Sequence, residues 1–191
     1  GTLDATGRIG LYVGDAGGVY STRRVNDGQW HHVAVVRENG SALSVYVDGT
    51  LDKTDVAQNL VLRTGTGRTI ATYNSTSFFS GLIDEVKIYN TALTADQVKQ
   101  DMNAGASVAY SVGSEEADEL ADGAGAPPIA EWKFDEKQGT VAYDSSGNAN
   151  DGTVNGATWK SGCQQGACLE FDGVNDVVSV GNPGSLQIST G

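Results

Sequence analysis

The sequence predicts an all-β fold, an antiparallel β-sandwich with one short helix near residues 94–103. Glycine is abundant, with 26 residues, and proline is scarce, with 3. This composition suits many short strands joined by tight turns. Hydrophobic residues make up 39% of the chain, and they alternate with polar residues over short stretches, as in half-buried strands. A chain of 191 residues is expected to form one domain or two small ones.

Residues 30–37 (Trp-His-His-Val-Ala-Val-Val-Arg) form the clearest predicted strand. Alternate side chains point to opposite faces of a strand, and apolar side chains occupy both faces here, which indicates a central strand. The turn signal at residues 38–40 and the return of residues 43–48 predict an antiparallel hairpin. His31 and His32 would point to opposite faces, which favours a structural role for them.

The single helix is predicted from its capping residues. Thr94 and Gln97 have the spacing of a capping box and precede the apolar Val98 and Met102. In a capping box, each of the two side chains bonds to the backbone of the other residue. Gly105 is a suitable residue to end this helix.

The chain divides into three parts, at residues 1–105, 106–128 and 129–191. The first part ends as a β-domain ends, with a strand at residues 81–89 and then the helix, whereas the third begins with a strand at residues 129–135. The middle part has no basic residue and no strand pattern, which is typical of a solvated acidic linker. Its acidic residues are Glu115, Glu116, Asp118, Glu119 and Asp122, and it ends in Pro127 and Pro128.

Motifs in the two outer parts resemble one protein family. In the third part they are residues 130–136 (Ala-Glu-Trp-Lys-Phe-Asp-Glu), 144–152 (Asp-Ser-Ser-Gly-Asn-Ala-Asn-Asp-Gly), Gly162 and 168–173 (Cys-Leu-Glu-Phe-Asp-Gly). In the first part they are residues 26–37, 45–49 (Val-Tyr-Val-Asp-Gly) and 81–89 (Gly-Leu-Ile-Asp-Glu-Val-Lys-Ile-Tyr). Together they resemble the LamG-like, concanavalin A-like jelly-roll family. The third part resembles the opening third of such a domain, and the first part resembles its closing two thirds.

The resemblance implies that a strand of the jelly roll is missing. Family members usually carry a long strand with an aromatic-valine core, and a second strand, between segments like residues 185–188 and 1–13. Roughly 15 to 25 residues are absent at typical strand and turn lengths. Either another segment takes this place or the polypeptide continues beyond the sequence. We expect the third part to complete a sandwich with a half like residues 1–105.

This completion is expected between copies of the chain in preference to within one chain, because the halves are reversed in order. Head-to-tail contacts of this kind make rings or filaments. A circularly permuted monomer is the alternative, because residues 106–128 reach roughly 70–80 Å when fully extended.

The segment from Asp144 to Asp151 is a candidate calcium loop. Its side-chain oxygens, which include those of Asn148 and Asn150, stand close together around a glycine, and Ca²⁺ prefers roughly six to eight oxygen ligands. The alternative is a polar turn in which Asp and Asn bond to their own backbone. The family resemblance implies a structural Ca²⁺. Asp84 and Asp135 stand on the strands that would join the two halves, and either could supply a further carboxylate.

The two cysteines, Cys163 and Cys168, are separated by four residues that include a glycine. Such a spacing allows a hairpin turn that brings the sulfurs within bonding distance. The alternatives are two free thiols or half of a metal site, although a structural zinc would need further Cys or His ligands. We expect a disulfide, which also fits an extracellular setting.

Aromatic residues and two sequons suggest surface functions. Trp30 and Trp132 lie in strand patterns that favour the core, so Trp159 and Tyr73 are the better candidates for contact with a ligand. Asn39 and Asn74 begin glycosylation sequons in loop-like segments, and these give weak support for an extracellular location.

Charge and composition exclude several classes of function. The formal net charge of −12 argues against a nucleic-acid partner, because phosphates would repel the chain. The sequence has no apolar run long enough to span a bilayer, so membrane insertion is not expected. Retaining glycosidases need two carboxylates about 5 Å apart, whereas Asp84 and Glu85 are adjacent in a predicted strand and would point to opposite faces.

We therefore expect a non-catalytic extracellular LamG-like module of a cell-surface or filament-forming protein. Other copies of the chain are its expected partners, together with glycans. The alternatives are a carbohydrate-binding or adhesion module and a fragment of a secreted glycoside hydrolase.

Overall fold

A computed structural model of the chain describes residues 2–3, 6–12, 18–38, 42–56, 67–73, 77–103 and 126–187. Asn39, Asn74, Gly105 and most of the predicted linker lie outside these residues. The strands are β1 (Thr2–Leu3), β2 (Arg8–Tyr12), β3 (Gly18–Arg24), β4 (Val33–Arg37), β5 (Ala42–Val47), β6 (Thr50–Val56), β7 (Arg68–Ile70), β8 (Thr72–Tyr73), β9 (Ser77–Phe78), β10 (Ser80–Ile83), β11 (Val86–Ile88), β12 (Ala130–Trp132), β13 (Val141–Ala142), β14 (Gly152–Asn155), β15 (Thr158–Ser161), β16 (Ala167–Asp172) and β17 (Val177–Gly181). One α-helix, α1 (Ala95–Met102), precedes β12, and a 3₁₀ turn spans Gly184–Leu186.

The chain folds into two compact units. The first unit comprises Gly1–Leu3, Val61–Asn90 and Pro128–Gly191, and the second comprises Asp4–Leu60 and Thr91–Pro127. The three parts predicted from the sequence follow the order of the chain, whereas these units follow spatial contact. Each unit therefore draws on more than one of the predicted parts.

In the second unit, the antiparallel pair β2–β3 packs on the antiparallel sheet β4-β5-β6. Their shared core is formed by Val19 of β3 and by three residues of β5, Leu43, Val45 and Val47, all with no exposed surface. The predicted hairpin, in which residues 43–48 return along the strand before residue 38, is confirmed, since Val33 pairs with Val47 and the register continues to Arg37 and Leu43.

The helix α1 lies on the opposite side of the β4-β5-β6 sheet, where Val98 packs against Val36 and Tyr46. Its predicted capping box is present: Thr94 accepts a bond from the Gln97 N–H, and Gln97 accepts one from the Thr94 N–H. The helix ends at Met102 with Asn103 as its C-cap, in agreement with the helix predicted near residues 94–103.

The predicted strand of residues 30–37 is shorter than expected, because β4 begins only at Val33. Trp30, His31 and His32 precede the strand, so strand alternation does not set the directions of their side chains. Trp30 is 38% exposed, which corrects the expectation that it lies in the core.

In the first unit, the sheets β13-β14-β17-β7 and β10-β16-β15 enclose one core together with the pair β11–β12. Two sheets that share a core in this way form a sandwich. The prediction of an all-β antiparallel fold with one short helix is confirmed. The buried residues of this core are Ala130, Trp132, Phe134, Ala142, Val154, Leu169, Phe171, Val178, Val180 and Leu186.

Three strand pairs of this unit join segments that are distant in sequence. Ile70 of β7 pairs with Val178 of β17, Ile83 of β10 pairs with Leu169 of β16, and β11 pairs with β12 through Val86 and Trp132. Each pair combines a strand before residue 106 with a strand after residue 128. In this single chain the halves complement each other within one molecule, and exchange between copies stays a prediction.

Candidate functional site

The carboxylate of Asp144 is the centre of the predicted calcium loop. Its Oδ1 accepts bonds from the N–H groups of Glu131 and Ser146, both at 2.9 Å. Its Oδ2 accepts bonds from the Asn150 N–H, the Asn150 Nδ2 and the Ser146 Oγ, all at 2.9 Å. Five donors therefore occupy the two oxygens, as in the polar-turn alternative.

The electrostatics of Asp144 follow from this network. Burial alone would raise the pKa of Asp144, but the N–H groups of Glu131, Asn150 and Ser146 outweigh it and hold the pKa below its ordinary value of 3.8. Hydrogen bonds to the charged form have this effect because they stabilise the carboxylate against protonation.

The other loop residues also bond inside the protein. Asp151 Oδ1 accepts a bond from the Asp144 N–H at 2.8 Å, and Asn148 Nδ2 donates to the Ile129 carbonyl at 3.1 Å. Asn150 is 2% exposed, and its carbonyl accepts the indole N–H of the buried Trp132 at 3.0 Å. The loop is thus bonded to residues 129–132, which bring Trp132 into the core of the first unit.

Asp84 and Asp135 lie at a second location, beside the hairpin that joins β15 and β16. Asp84 Oδ2 accepts the Gln165 N–H at 3.0 Å, and Asp135 Oδ1 accepts the Ala167 N–H at 2.8 Å. Between these two donors stands Gly166, with φ at +62°, and a Cβ there would lie 2.0 Å from Asp135 Oδ1. The hairpin tip therefore requires glycine at this position.

The predicted disulfide closes the same hairpin. Cys163 and Cys168 are bonded, with their Cα atoms 5.9 Å apart. Cys168 is fully buried in β16, whereas Cys163 is only partly buried at the tip. The disulfide and the two carboxylates together fix residues 163–168.

Asp84 is half-buried, and its Oδ1 accepts no hydrogen bond of good geometry from a described residue. Burial raises the pKa of Asp84, and the nearby charge of Asp135 adds to the rise. The strand is interrupted here, since β10 ends at Ile83, β11 starts at Val86 and Glu85 has φ at +51°. The expectation that Asp84 and Glu85 alternate within one strand is therefore wrong.

No described residue forms hydrogen bonds both with the Asp144 loop and with the pair of Asp84 and Asp135. In the part of the chain that the structure describes, no three His, Cys, Asp or Glu side chains are arranged to hold a metal ion. The Asp144 loop does not fit a Ca²⁺ site, because internal donors already occupy its carboxylate. Asp84 fits better, because one of its oxygens is buried and still available.

The predicted ligand-contact residues take other positions. Trp159 packs its ring edge-on against Phe134, with centroids 6.4 Å apart, and its indole N–H donates to the Gly139 carbonyl at 2.9 Å. It contacts the core of the first unit, whereas Trp30 of the second unit is exposed. Tyr73 ends β8, and its side chain lies outside the described features.

A depression of about 370 Å³ on the sheet β10-β16-β15 was missed by sequence reasoning. The sequence signal for this surface is the alternation in residues 170–172 (Glu-Phe-Asp). It buries Phe171 and leaves Glu170 and Asp172 on the opposite face of β16. Glu170 forms an ion pair with Lys160 at 2.9 Å, and Asp172 Oδ1 accepts the Val174 N–H at 2.8 Å. The depression is lined by Ser80, Gly81, Thr158, Glu170, Phe171, Asp172 and Asp176.

No helix among the described residues has the length and apolar character needed to cross a membrane. No curated protein and no solved structure matches the chain significantly. Residues 2–99 match the sequence model of a family described as the concanavalin A-like lectin/glucanases superfamily, which is more than half of the chain. The chain has antiparallel sheets and matches this family over residues 2–99. It therefore belongs to the concanavalin A-like lectin/glucanase superfamily.

Proposed function

We propose that the chain is a non-catalytic extracellular LamG-like module of a cell-surface or filament-forming protein, and that copies of it assemble by exchanging half-domains. The observation that carries this proposal is the set of strand pairs β7–β17, β10–β16 and β11–β12. Each pair joins a segment that ends by residue 88 to a segment that begins at or after residue 130. A second copy can therefore supply the same strands with the same register.

Burial of apolar side chains favours pairing of the two segments, either within one chain or between copies. Without its partner segment, the part after residue 128 would expose Trp132, Phe134 and Phe171, which are at most 1% exposed in the folded unit. Burying a large apolar side chain stabilises a protein by roughly 1.5–3 kcal/mol. Unpaired strand edges also add readily to other chains. An uncompleted half is therefore a strong acceptor for the complementary half of another copy.

A cysteine pair across β10 and β16 distinguishes exchange from intramolecular pairing. Leu82 and Glu170 are cross-strand partners, and both are exposed, at 40% and 48%. Cross-strand Cα atoms lie roughly 4.5–5.5 Å apart, which is within the range for a disulfide. After oxidation of Leu82→Cys/Glu170→Cys, exchange predicts a ladder of covalent oligomers on a non-reducing gel. A monomer whose mass falls by the two lost hydrogens would contradict exchange.

Thr158→Cys/Glu170→Cys is the matched control, because Thr158 and Glu170 are also cross-strand partners but lie in the same half. This pair closes within one chain in either arrangement. Sedimentation of the unmodified chain provides the second measurement: a stable monomer at every concentration would end the exchange proposal.

The disulfide supports an extracellular location, because disulfides persist in oxidising compartments. We further propose a structural Ca²⁺ beside the hairpin tip, with Asp84 and Asp135 as carboxylate ligands. The buried, available Oδ1 of Asp84 supports this position over the Asp144 loop. A bound cation would offset the repulsion between these two carboxylates.

Carbohydrate binding is the second candidate function, and the depression on β10-β16-β15 favours it. Its lining combines the hydroxyls of Ser80 and Thr158 with the carboxylate of Glu170, which is a mixed set of donors and acceptors suited to sugar hydroxyls. Binding on a glycan array that Glu170→Gln abolishes would support this function. Asp55→Asn, at an exposed ion pair with Lys53, is the control.

The hydrolase alternative has less support. Glu170 and Asp172 share a face of β16, but Asp172 bonds to its own turn and Glu170 to Lys160. We expect no release of reducing sugar from polysaccharides, and turnover that Glu170→Gln removes would contradict the non-catalytic proposal.

A further inference from the structure

The imidazole ring of His31 lies between two carboxylates of the second unit. Its Nδ1 is 3.0 Å from Asp48 Oδ2, and its Nε2 is 3.0 Å from Asp27 Oδ1. Asp27 and Asp48 belong to two different turns, before β4 and between β5 and β6. The His31 side chain is 17% exposed, so little water reaches the ring between them.

A neutral imidazole carries one N–H, and its other nitrogen is an acceptor. A neutral ring would therefore direct one lone pair at a carboxylate oxygen 3.0 Å away. The imidazolium form donates from both nitrogens and satisfies both contacts. We propose that His31 is a protonation-dependent clamp, which ties the Asp27 turn to the Asp48 turn when it is charged and releases one of them when it is neutral.

Release is expected at the Asp27 turn, because Asp48 is held by more bonds. Asp48 Oδ1 also accepts the His32 N–H at 3.2 Å, and the Asp48 N–H donates to the His32 carbonyl at 2.8 Å. Among the described residues, the Asp27 side chain bonds to the His31 ring and to the local Gln29 N–H at 2.9 Å. The Asp27 side chain is also the more exposed one, at 55% against 42% for Asp48.

The charged groups around the clamp favour the imidazolium. Asp27 and Asp48 face the ring from the two turns, and neighbouring His32 pairs with Asp101 of α1, with His32 Nε2 3.6 Å from Asp101 Oδ2. Lys99 of α1 approaches Gly49 with its aliphatic chain, while its amino group pairs with Asp96 at 3.5 Å. The bonds from His31 to Asp48 and then to Asp27 raise its pKa above the ordinary 6.5, against a smaller effect of burial.

The raised pKa of His31 decides at which pH the clamp stabilises the fold. A histidine whose folded pKa is raised stabilises the fold fully below its unfolded pKa, here 6.5, and loses that contribution as pH rises through the folded pKa. The clamp is therefore closed in mildly acidic surroundings and open in alkaline ones. Trp30 lies between Asp27 and His31 in sequence and is 38% exposed. Opening of the clamp therefore changes the surroundings of an exposed indole.

NMR titration of the ring protons tests the clamp, since the chain contains only two histidines. We expect His31 to titrate above 6.5, and Asp27→Asn and Asp48→Asn each to lower that titration point. The Gln29 amide should follow the same curve, because it bonds to the oxygen that His31 contacts. Titration of His31 at or below 6.5 would overturn the clamp.

Thermal unfolding provides a second readout. The melting temperature of the wild type should fall between about pH 6 and pH 8 by more than that of His31→Gln. Asp55→Asn is the control for loss of a surface carboxylate of this unit, and it should keep the wild-type slope. Equal slopes for the wild type and His31→Gln would contradict the proposal. If His31→Gln fails to fold, the titration of the wild type decides alone.

Discussion

The carboxylate of Asp52 accepts hydrogen bonds from both the backbone N–H and the hydroxyl of Thr22, thirty residues earlier in the chain. Asp52 is the extra residue of a β-bulge in β6, since Lys53 pairs with Val45 while Leu51 pairs with Tyr46. The bulge turns this side chain towards β3, where it also pairs with Arg23 at 3.4 Å and is 3% exposed. One carboxylate thus connects the two sheets of the second unit.

Asp52→Asn should destabilise the second unit by about 1–3 kcal/mol, because the substitution removes the charge of a buried side chain and can place its amide N–H against the Thr22 N–H. The free energy of unfolding in urea measures the effect. Asp55→Asn lies on the same strand at an exposed position and should change stability by at most about 0.5 kcal/mol. Equal effects of the two substitutions would show that Asp52 does not connect the sheets.

Replacing both cysteines by serine should destabilise the first unit by an amount at the low end of about 2–4 kcal/mol, because the loop that the disulfide closes is short. Asp84 and Asp135 still hold the tip through Gln165 and Ala167, so the hairpin should persist. Urea denaturation with and without reductant measures the difference. Alkylation of the unreduced protein, followed by mass measurement, would reveal free thiols if the disulfide were absent.

Asp144→Asn should destabilise the first unit by about 1–3 kcal/mol, because at least one buried donor loses its acceptor. The pKa of Asp144 lies below 3.8 in the folded state, so its contribution is present above pH 3.8 and is lost as pH falls through the lowered pKa. Unfolding measured from pH 5 to pH 2 should therefore show a smaller dependence on pH in Asp144→Asn. Exposed Glu170→Gln is the control, and an unchanged slope for Asp144→Asn would refute this role.

Calcium and chelator should act through Asp84. If Ca²⁺ binds the folded state alone, as proposed, it should stabilise the folded chain by about 2.7 kcal/mol at a hundred times its dissociation constant. Excess chelator should then lower the melting temperature of the wild type and leave Asp84→Asn unchanged. Without calcium, Asp84→Asn should be at least as stable as the wild type, because burial raises the pKa of Asp84 and disfavours its charge. A chelator effect that survives in Asp84→Asn would place the ion elsewhere.

Local features were predictable from the sequence. The capping box at Thr94 and Gln97, the disulfide and the hairpin of residues 30–48 each depend on residues close together in the chain. Short-range geometry fixes their partners, so spacing alone is informative. The family resemblance added the antiparallel class, and the reversed order of the halves stays a prediction.

Features that depend on distant contacts were not predictable. Trp30 is exposed and Trp159 packs partly buried against the core, because a strand pattern does not show where the strand starts or which face another sheet covers. The bulge at Asp52 adds one residue to a ladder and leaves no local signature. The loop at Asp144 carries the composition of a metal site, and only the positions of Glu131 and Asn150 show that donors already occupy it.

Because Ser80 pairs with Asp172, β10 cannot pair with β16 until the ribosome has synthesised residue 172. Ribosomes add roughly 5–20 residues per second, so β10 leaves the ribosome several seconds before β16 exists. During this interval β2 to β6 of the second unit have been made, while β7, β10 and β11 still lack their partner strands. On a polysome, neighbouring nascent chains display the same unpaired strands at high local concentration. If copies exchange half-domains as proposed, the speed of translation should therefore shift the balance between closed monomers and linked assemblies.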